Sequence, residues 1–203
     1  MKPIKIQAKS SGVPQNADSI ATFAGAASFP FRHRLLRLAW KLTWALLASW
    51  TPPPLHRWRV CLINLFGGHV DPSCFIYASV RIWYPPNLNM ARSATLGPDV
   101  DCYTMGQIEI GPYAVVSQRT FLCTGTHDIH NANFQIGSRP IKIGANAWIA
   151  AEAFVGPGVI IGEGAVLGAR GAAFCDLDAW TVYQGNPATA KSTRTRFNRT
   201  QEQ

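Results

Sequence analysis

The clearest pattern in the chain is an apolar side chain at every sixth position of its C-terminal half. A small residue follows most of these positions four residues later, and glycine often comes directly after them. A period of six matches neither the 3.6-residue turn of an α-helix nor the two-residue alternation of a strand. It is typical of a short strand and a corner, repeated along a parallel β-helix. The series consists of Ile143, Ile149, Val155, Ile161, Leu167 and Ala173.

The same spacing extends towards the N-terminus and predicts one all-β solenoid over residues 70–185. One side chain in six would point into a narrow interior, and glycine would accept the backbone angles of the turns. Stacked coils would then lie ~4.8 Å apart and pair as parallel sheets. The earlier members are Val70, Ile76, Ile82 and Leu88, then Leu96 and Cys102 after a two-residue slip, and then Ile110, Val116 and Leu122.

The repeat is interrupted between Leu122 and Ile143, a separation of twenty-one residues that six does not divide. A loop must leave the solenoid here, and loops on rigid scaffolds often carry chemistry. His127 lies at the root of this loop, and histidine can accept a proton near neutral pH. We interpret His130 as a loop residue without chemistry. For Asp128 two roles stay open, contact with a substrate or fixing of the loop.

The segment before the solenoid, residues 29–69, is predicted to be helical. Within residues 31–50, Arg34, Arg37 and Lys41 share one helical face, while leucine and tryptophan side chains lie on another. This pattern indicates a basic amphipathic helix that is too short and too charged to span a membrane. Two interpretations stay open: the helix lies on an anionic membrane surface, or it caps the solenoid with its basic side in water. The helix is expected to end at Pro52, Pro53 and Pro54, and a second short helix is expected over residues 55–66.

Composition and charge narrow the range of partners without choosing one. The 203 residues carry a formal net charge of +8, which favours anionic partners: phosphates, nucleic acid or an acidic membrane surface. The five cysteines form no CxxC pair, so we expect neither a disulfide framework nor a cysteine zinc site. Residues 1–28 are predicted to form a disordered tail without a signal peptide, which favours a cytoplasmic protein. Residues 186–203 are expected to form a C-terminal tail.

The repeat and its flanking motifs resemble the left-handed β-helix acyltransferases of the hexapeptide-repeat superfamily, and within it the colanic-acid type of exopolysaccharide acetyltransferase. The resemblance covers roughly residues 58–194 and is carried by FGGHVDPS (66–73), IEIGPYAVVSQRTFLCTGTHD (108–128), AWIAAEAFVGPGVIIGEGAVLGARG (147–171) and YQGNPA (183–188). It implies left-handed coils, a homotrimer and acetyl-CoA as the acyl donor, with no metal. The implied reaction is O-acetylation of a sugar hydroxyl, on a sugar or glycolipid acceptor of exopolysaccharide biosynthesis. No nucleic-acid partner is implied.

The resemblance also assigns roles to individual residues. His127 stands at the position of the catalytic base, which removes the proton of the acceptor hydroxyl as that hydroxyl attacks the thioester. Asp101, Tyr103, Gln118 and Asp128 fall in the region that binds the acceptor. Coenzyme A also needs positive charge near its phosphates, which arginine supplies through paired donors. The residues implied for coenzyme A are Trp148, Ala150, Ala151, Gly168, Ala169, Arg170, Lys191 and Arg194.

Outward apolar columns are expected on the C-terminal coils. Trp148 is the last residue of its hexad and should point outward, with Val166 stacked on it one coil later. Phe154 and Ala172 should form the next column. Exposed columns of this kind predict cover by a second subunit or by bound coenzyme A.

The chain departs from the family pattern in three places. Ala150 stands where glycine is usual, and Pro85–Pro86 stands where a tryptophan is usual near the acceptor. Phe174 and Cys175 replace the usual threonine and lysine, which removes a phosphate contact. Two alternatives to sugar acetylation therefore stay open: a non-catalytic trimeric scaffold, and transfer to a small non-sugar acceptor.

Two other chemistries are considered and set aside. Carbonic anhydrases share this solenoid and bind zinc through three histidines, but His127 and His130 do not have their spacing, and His33 and His56 precede the solenoid. No metal site is therefore expected. Cys123 follows Leu122 directly within a predicted strand, and we interpret it as a packing residue rather than a nucleophile.

Overall fold

A computed structural model describes residues 29–197, so the predicted tail over residues 1–28 and the last six residues lie outside the described part. Two helices, α1 (Phe31–Leu47) and α2 (His56–Leu65), precede a stack of parallel coils. Each coil runs through three short strands that belong to three different sheets. The predicted all-β parallel β-helix with N-terminal helices and a protruding loop is confirmed.

The three sheets form the faces of a prism, here called faces A, B and C in the order in which the chain meets them. Strands are numbered along the chain. Face A contains β1 (His69–Val70), β4 (Leu88–Met90), β7 (Ile108–Ile110), β12 (Ile141–Ile143) and β15 (Ile160–Ile161). Face B contains β2 (Phe75–Ile76), β5 (Thr95–Leu96), β8 (Val115–Val116), β13 (Trp148–Ile149), β16 (Val166–Leu167), β18 (Thr181–Gln184) and β19 (Thr189–Thr193). Face C contains β3 (Arg81–Ile82), β6 (Asp101–Tyr103), β9 (Phe121–Cys123), β14 (Phe154–Val155) and β17 (Ala172–Ala173).

The six-residue period produces this prism because each hexad places one side chain inside. The series members Ile149, Val155 and Leu167 are fully buried, whereas Trp148 and Phe154, which precede the first two, keep exposed surface on the outside of their strands. The small residues at the fifth place, such as Ala147 and Ala165, are buried at the corners, where the chain bends over the interior. The core is therefore a single column of apolar side chains along the prism axis.

The glycines at the A–B corners are required for a different reason from the one predicted. The positive φ angles at the corners fall mainly on other residues, including Asn146, Glu152 and Arg170. Gly144 instead lies against the next coil, where an added Cβ would come within 2.6 Å of the amide nitrogen of Glu163. A side chain there would collide with backbone, so glycine is needed for the close approach of two coils.

The two-residue slip in the repeat maps to the C–A corner of the first coils. Val70 pairs with Met90 and Met90 with Ile110, so these coils contain twenty residues, whereas the later pairing of Ile143 with Ile161 spans eighteen. Buried polar side chains form hydrogen bonds with the backbone carbonyls of this wider corner. Asn87 donates to the carbonyls of Thr104 and Met105 at 3.1 and 3.0 Å, and the Thr124 hydroxyl donates to the carbonyl of Tyr103 at 2.6 Å. The irregular corner is therefore an ordered part of the fold.

The helices are anchored on the carbonyl groups of the first coil. The indole Nε1 of Trp40 donates to Ile82 at 2.7 Å, and that of Trp44 donates to Ala78 at 3.2 Å. Helix α1 ends at Leu47, a few residues before the proline run. The helix thus caps the solenoid, as one of the two interpretations expects, but it does so through tryptophans and leaves its leucines outside. No described helix is long and apolar enough to cross a membrane.

Arg59 holds the proline turn between the two helices. Its guanidinium is fully buried and donates to the carbonyls of Pro52 at 2.6 Å, Pro53 at 3.3 Å and Ile76 at 3.1 Å. Burial lowers the pKa of this group from its ordinary value. Because its two terminal nitrogens donate both to the proline turn and to Ile76 of β2, Arg59 couples the turn to face B.

The C-terminal segment closes the other end of the stack. Strand β19, which lies within the predicted tail of residues 186–203, pairs antiparallel with β18. Ala172 donates its amide to Gly185 and accepts from Ala188. Because this turn covers it, Ala172 is buried rather than exposed as the outward columns predict, and Val166 is buried as well.

We predict that Arg59→Met lowers the free energy of unfolding by about 2–4 kcal/mol, because the buried carbonyl of Ile76 and the part-buried carbonyls of the proline turn lose their donor. The matched control is Arg57→Met on the same helix, where the side chain is exposed and the expected change is within about 0.5 kcal/mol. Chemical denaturation followed by circular dichroism measures both. Equal stability of the two variants would show that Arg59 does not hold the turn.

Candidate active site

The predicted loop leaves the prism at the C–A corner and forms a β-hairpin. Strand β10 (Gly125–His127) pairs antiparallel with β11 (Ile136–Ser138), and His127 lies opposite Ile136. The hairpin continues directly from β9, which is clamped between neighbouring strands of face C. His127 is therefore separated from the rigid solenoid by only a few residues of paired strand.

One nitrogen of His127 is committed to a backbone carbonyl. Nδ1 lies 2.9 Å from the carbonyl oxygen of Phe134. A carbonyl can only accept a hydrogen bond, so the proton of the neutral ring is on Nδ1 and the lone pair is on Nε2. The Phe134 ring stacks on the imidazole at 4.2 Å with an interplanar angle of 12°. Phe134 thus fixes both the tautomer and the plane of His127.

The hairpin tip is organised by its own hydrogen bonds. Phe134 has a φ of +47°, an uncommon conformation for a bulky residue, in the turn that brings its ring and carbonyl to His127. The Asp128 carboxylate accepts the amide of His130 at 3.0 Å, and the Asp128 amide donates to Gln135 at 2.9 Å. Of the two roles left open for Asp128, the contacts favour fixing the loop. The ring nitrogens of His130 make no hydrogen bond within the described residues.

Two aromatic side chains, Tyr103 and Trp83, lie beside the root of this hairpin and are here called the aromatic floor. Tyr103 packs so closely on β10 that a Cβ added to Gly125 would approach its Cε1 within 2.5 Å. Trp83 meets the Tyr103 ring edge-on at 5.5 Å. Burial raises the pKa of the Tyr103 hydroxyl. Tyr103 is thereby brought next to the hairpin of His127, as its assignment to the acceptor region requires.

The other two acceptor candidates, Asp101 and Gln118, have no contact with the hairpin among the described residues. Asp101 forms an ion pair with Arg81 at 3.0 Å on the outer surface of face C. Gln118 is exposed at the B–C corner, one full face away from the hairpin. Of the predicted acceptor set, the structure therefore brings only Tyr103 and Asp128 to the hairpin that carries His127.

Helix α1 contributes a cation to the same floor, which the sequence analysis did not assign to the site. The Arg37 guanidinium lies over the Trp83 ring at 4.1 Å, and no carboxylate among the described residues forms an ion pair with it. Its Nε is buried without a hydrogen-bond partner. His33, one turn earlier, is buried with both ring nitrogens unpartnered and stacks on Tyr84 at 4.2 Å. The floor therefore carries unused hydrogen-bond donors and an unpaired positive charge.

The residues implied for coenzyme A fall into two groups, one on face B and its B–C corner and the other in the C-terminal segment. Trp148 points outward on face B, is 45% exposed and donates from Nε1 to the Ser117 hydroxyl at 2.9 Å. It pairs in register with Val166, as predicted. The stacked B–C corners next to it contain Ala150 and Ala151 in one coil and Gly168, Ala169 and Arg170 in the next, linked by a hydrogen bond from Arg170 to the Ala151 carbonyl.

Charge at the B–C corner is partly neutralised within the chain. Glu152 accepts from Arg170 at 2.6 Å and also pairs with Arg119, and these two arginines lower the pKa of its carboxyl. Arg194 lies instead at the A–B corner, where it donates to the carbonyls of Asn146 at 2.9 Å and Gly164 at 3.0 Å. Lys191 is exposed on β19. The structure does not bring Arg194 to the corner of Arg170.

Face C, which lies between the C–A corner of the hairpin and the B–C corner, carries a row of aromatic side chains. Tyr103, Phe121, Phe154 and Phe174 follow one another with centroid separations of 5.6–6.4 Å. Phe174, one of the departures from the family pattern, is 61% exposed at the end of this row. The row therefore gives this part of face C an apolar outer surface.

The surroundings of Cys123 disfavour a cysteine nucleophile at this site. Burial raises the pKa of the Cys123 thiol, and its Sγ contacts the Gly125 carbonyl at 3.5 Å, so the thiolate needed for attack is disfavoured. Within residues 29–197, no group of three or more His, Cys, Asp or Glu side chains could hold a metal ion.

Comparison with known proteins identifies the family. Residues 140–170 match the family described as bacterial transferase hexapeptide (six repeats). A protein of Escherichia coli K12 named as a colanic acid biosynthesis acetyltransferase, WcaF, is 44% identical over 151 residues, which are 73% of this chain and 83% of the relative. Its counterpart in Shigella flexneri matches to the same extent.

Solved structures show the same fold. A maltose O-acetyltransferase from Clostridium difficile 630 superposes with a TM-score of 0.73 at 23% identity, over 82% of this chain and 90% of that one. A hexapeptide-repeat acetyltransferase from Vibrio cholerae O1 biovar eltor, solved with acetyl coenzyme A, gives 0.69 at 20% identity, over 82% and 91%.

The chain belongs to the bacterial hexapeptide-repeat transferases. Within that family it is an acetyltransferase related to the colanic acid biosynthesis enzymes, as the sequence resemblance indicates.

Sequence reasoning missed three contributors to the candidate site. The first is the Phe134 carbonyl, a backbone group that every residue type carries and that the sequence therefore cannot single out. Arg37 and Trp83 lie far from Tyr103 along the chain, and Arg37 reaches the aromatic floor beside the hairpin root only because α1 packs on the first coil. The one signal in the sequence was Arg37 itself, a basic residue of α1 in a stretch of chain that contains no aspartate or glutamate.

Proposed function

We propose that this acetyltransferase moves the acetyl group of acetyl-CoA to a sugar hydroxyl on a lipid-linked or nucleotide-linked unit of exopolysaccharide biosynthesis. The observation that carries the proposal is the hydrogen bond from His127 Nδ1 to the Phe134 carbonyl, which leaves Nε2 as a proton acceptor. The relationship to colanic acid biosynthesis acetyltransferases supports the class of acceptor.

His127 Nε2 removes the proton of the acceptor hydroxyl while the hydroxyl oxygen attacks the thioester carbonyl carbon. The new C–O bond gives a tetrahedral intermediate, and the imidazolium keeps its Nδ1–H on the Phe134 carbonyl. Collapse of the intermediate breaks the C–S bond, and the proton on Nε2 passes to the departing coenzyme A sulfur. Direct transfer in a ternary complex needs no cysteine nucleophile, in agreement with the raised pKa of Cys123.

The donor is proposed to lie along Trp148 and the B–C corner. Ala150, Ala151, Gly168 and Ala169 have small or absent side chains, so the corner offers backbone to an extended ligand. A protein of the same fold binds acetyl coenzyme A, which supports this donor. Because Glu152 already pairs with Arg170, Lys191 is the freer of these cations for the phosphates.

A homotrimer would bring donor and base together. Within one chain, the hairpin and the donor corner lie on opposite sides of face C, and five residues of extended chain between Arg119 and Thr124 span about 16 Å. Trp148 and Phe154 keep exposed apolar surface that a neighbouring copy would cover. We therefore propose active sites between subunits.

The acceptor is proposed to carry a phosphate near its sugar. Arg37 is a planar cation without an acidic partner among the described residues, and such a group suits a phosphate through paired donors. Trp83 and Tyr103 offer aromatic surface between this cation and the hairpin. Lipid-linked and nucleotide-linked sugars both present this combination, whereas a small non-sugar acceptor without phosphate would leave Arg37 unused.

We predict that His127→Ala lowers kcat by about 10²- to 10⁴-fold, the usual contribution of a general base. The melting temperature and the affinity for coenzyme A should stay near wild type, because the half-buried ring belongs to the hairpin and not to the core.

The matched control is His130→Ala on the same hairpin, whose exposed ring makes no hydrogen bond among the described residues. It should keep kcat within about threefold of wild type. Thiol release from acetyl-CoA with a panel of nucleotide-linked sugars measures both variants. Wild-type turnover by a normally folded His127→Ala protein would rule out the proposed base.

We predict that Arg37→Gln raises the KM for a nucleotide-linked sugar by about tenfold or more, because a charge-assisted contact to phosphate is lost. The KM for the corresponding free sugar and for acetyl-CoA should change little. Arg32→Gln, which alters an exposed arginine of the same helix, is the control. An equal effect on linked and free sugars would contradict a phosphate contact.

A further inference from the structure

We propose that α1 docks the protein onto the surface of an anionic lipid bilayer. The docking surface, here called the leucine face, consists of Leu35, Leu38, Leu42 and Leu46. These side chains are 54%, 54%, 54% and 68% exposed, respectively. They recur every three or four residues, so they form one continuous apolar stripe along the helix. A stripe of exposed leucines is costly in water and marks an interaction surface.

The leucine face cannot turn inward, because the opposite side of α1 is fixed to the solenoid. Trp40 is buried and donates to Ile82 at 2.7 Å, Trp44 donates to Ala78, and Arg37 lies over Trp83. The helix is therefore held with one face on the protein and the other presented outward.

The charges beside the leucine face are all positive. Arg34 and Lys41 are exposed on α1 next to the leucines, and Arg57 is exposed on α2. No aspartate or glutamate occurs anywhere between Asp18 and Asp71. An apolar stripe with basic flanks fits a bilayer whose headgroups are anionic, since burial of the leucines and attraction of the lysine and arginines act together.

Tryptophans extend this surface beyond the end of the helix. Trp50 is 72% exposed and donates from Nε1 to Leu46, and Trp58 is 42% exposed and donates to Leu47. Both indoles are thereby held beside the last leucine of the stripe. Tryptophan favours the boundary between headgroups and acyl chains, where its ring is in apolar surroundings near polar ones.

Charge also argues against the other occupants of the leucine face. A second copy would bring the same arginines and lysine against this surface, and like charges would repel. The segment before residue 29 carries three lysines and one acidic residue, so it is basic as well. The length and charge of α1 suit a helix that lies in the plane of the interface and does not cross it.

This attachment goes beyond acetyl transfer and does not depend on it. It would hold the enzyme at a membrane surface, where lipid-linked acceptors are assembled. Arg37 is on the helix side that faces the solenoid, so the same helix would place a membrane contact and a phosphate contact on opposite faces.

The test is co-sedimentation of the full chain with sucrose-loaded vesicles of phosphatidylcholine alone or with 30% phosphatidylglycerol. The wild type should bind the anionic vesicles and not the neutral ones, and added salt should weaken the binding. Leu42→Glu should reduce the partition coefficient by at least about tenfold, because an apolar contact is replaced by a charge. Acetyl transfer to a soluble acceptor, measured in parallel, should remain unchanged.

The matched control is Ile160→Glu on face A, where an isoleucine 48% exposed receives the same change of charge. This variant should bind the anionic vesicles like the wild type. The proposal is overturned if the wild type does not bind, if neutral vesicles bind equally, or if the two variants behave alike. A wild type that ignores vesicles, with Leu42→Glu lowering the oligomeric state in light scattering, would assign the face to a second copy.

Discussion

Consecutive coils approach so closely at the A–B corner that no side chain fits between them. An added Cβ would come within 2.7 Å of the next backbone at Gly111, 2.6 Å at Gly144 and 2.4 Å at Gly162. This close approach fixes the position of each of these coils relative to the next one, so the strands have no room for inserted residues. They leave at the C–A corner, first as the wider turns near Asn87 and then as the hairpin of His127.

The candidate site depends on this rigid exit and on the helix that caps the first coil. Because β9 is held on both sides, the hairpin starts from a fixed position, and the Phe134 carbonyl then sets the orientation of the His127 ring. Helix α1 adds Arg37 to the aromatic floor beside the root of the hairpin. In the proposed mechanism, the solenoid positions the hairpin, the hairpin carries the proposed base His127, and the capping helix adds the positive charge of Arg37.

The sequence predicts most of the fold because the period of six directly encodes strand, corner and interior. Ile149, Val155 and Leu167 are buried as expected, and His127 is on the protruding loop. Contacts between distant segments could not be predicted in the same way. The separation of Arg194 from Arg170, the cover over Val166 and Ala172, and the exposure of the leucines on α1 all depend on how separate segments pack, which hexad spacing does not describe.

The central claim is that His127 keeps Nε2 free because its Nδ1 proton is held by Phe134. The most direct test is the two-bond ¹H–¹⁵N correlation spectrum of ¹⁵N-labelled protein at neutral to basic pH, with His127→Ala to assign the signals. The account predicts that neutral His127 carries its proton on Nδ1 and that Nε2 shows the shift of an unprotonated nitrogen. A proton on Nε2, with Nδ1 unprotonated, would contradict it.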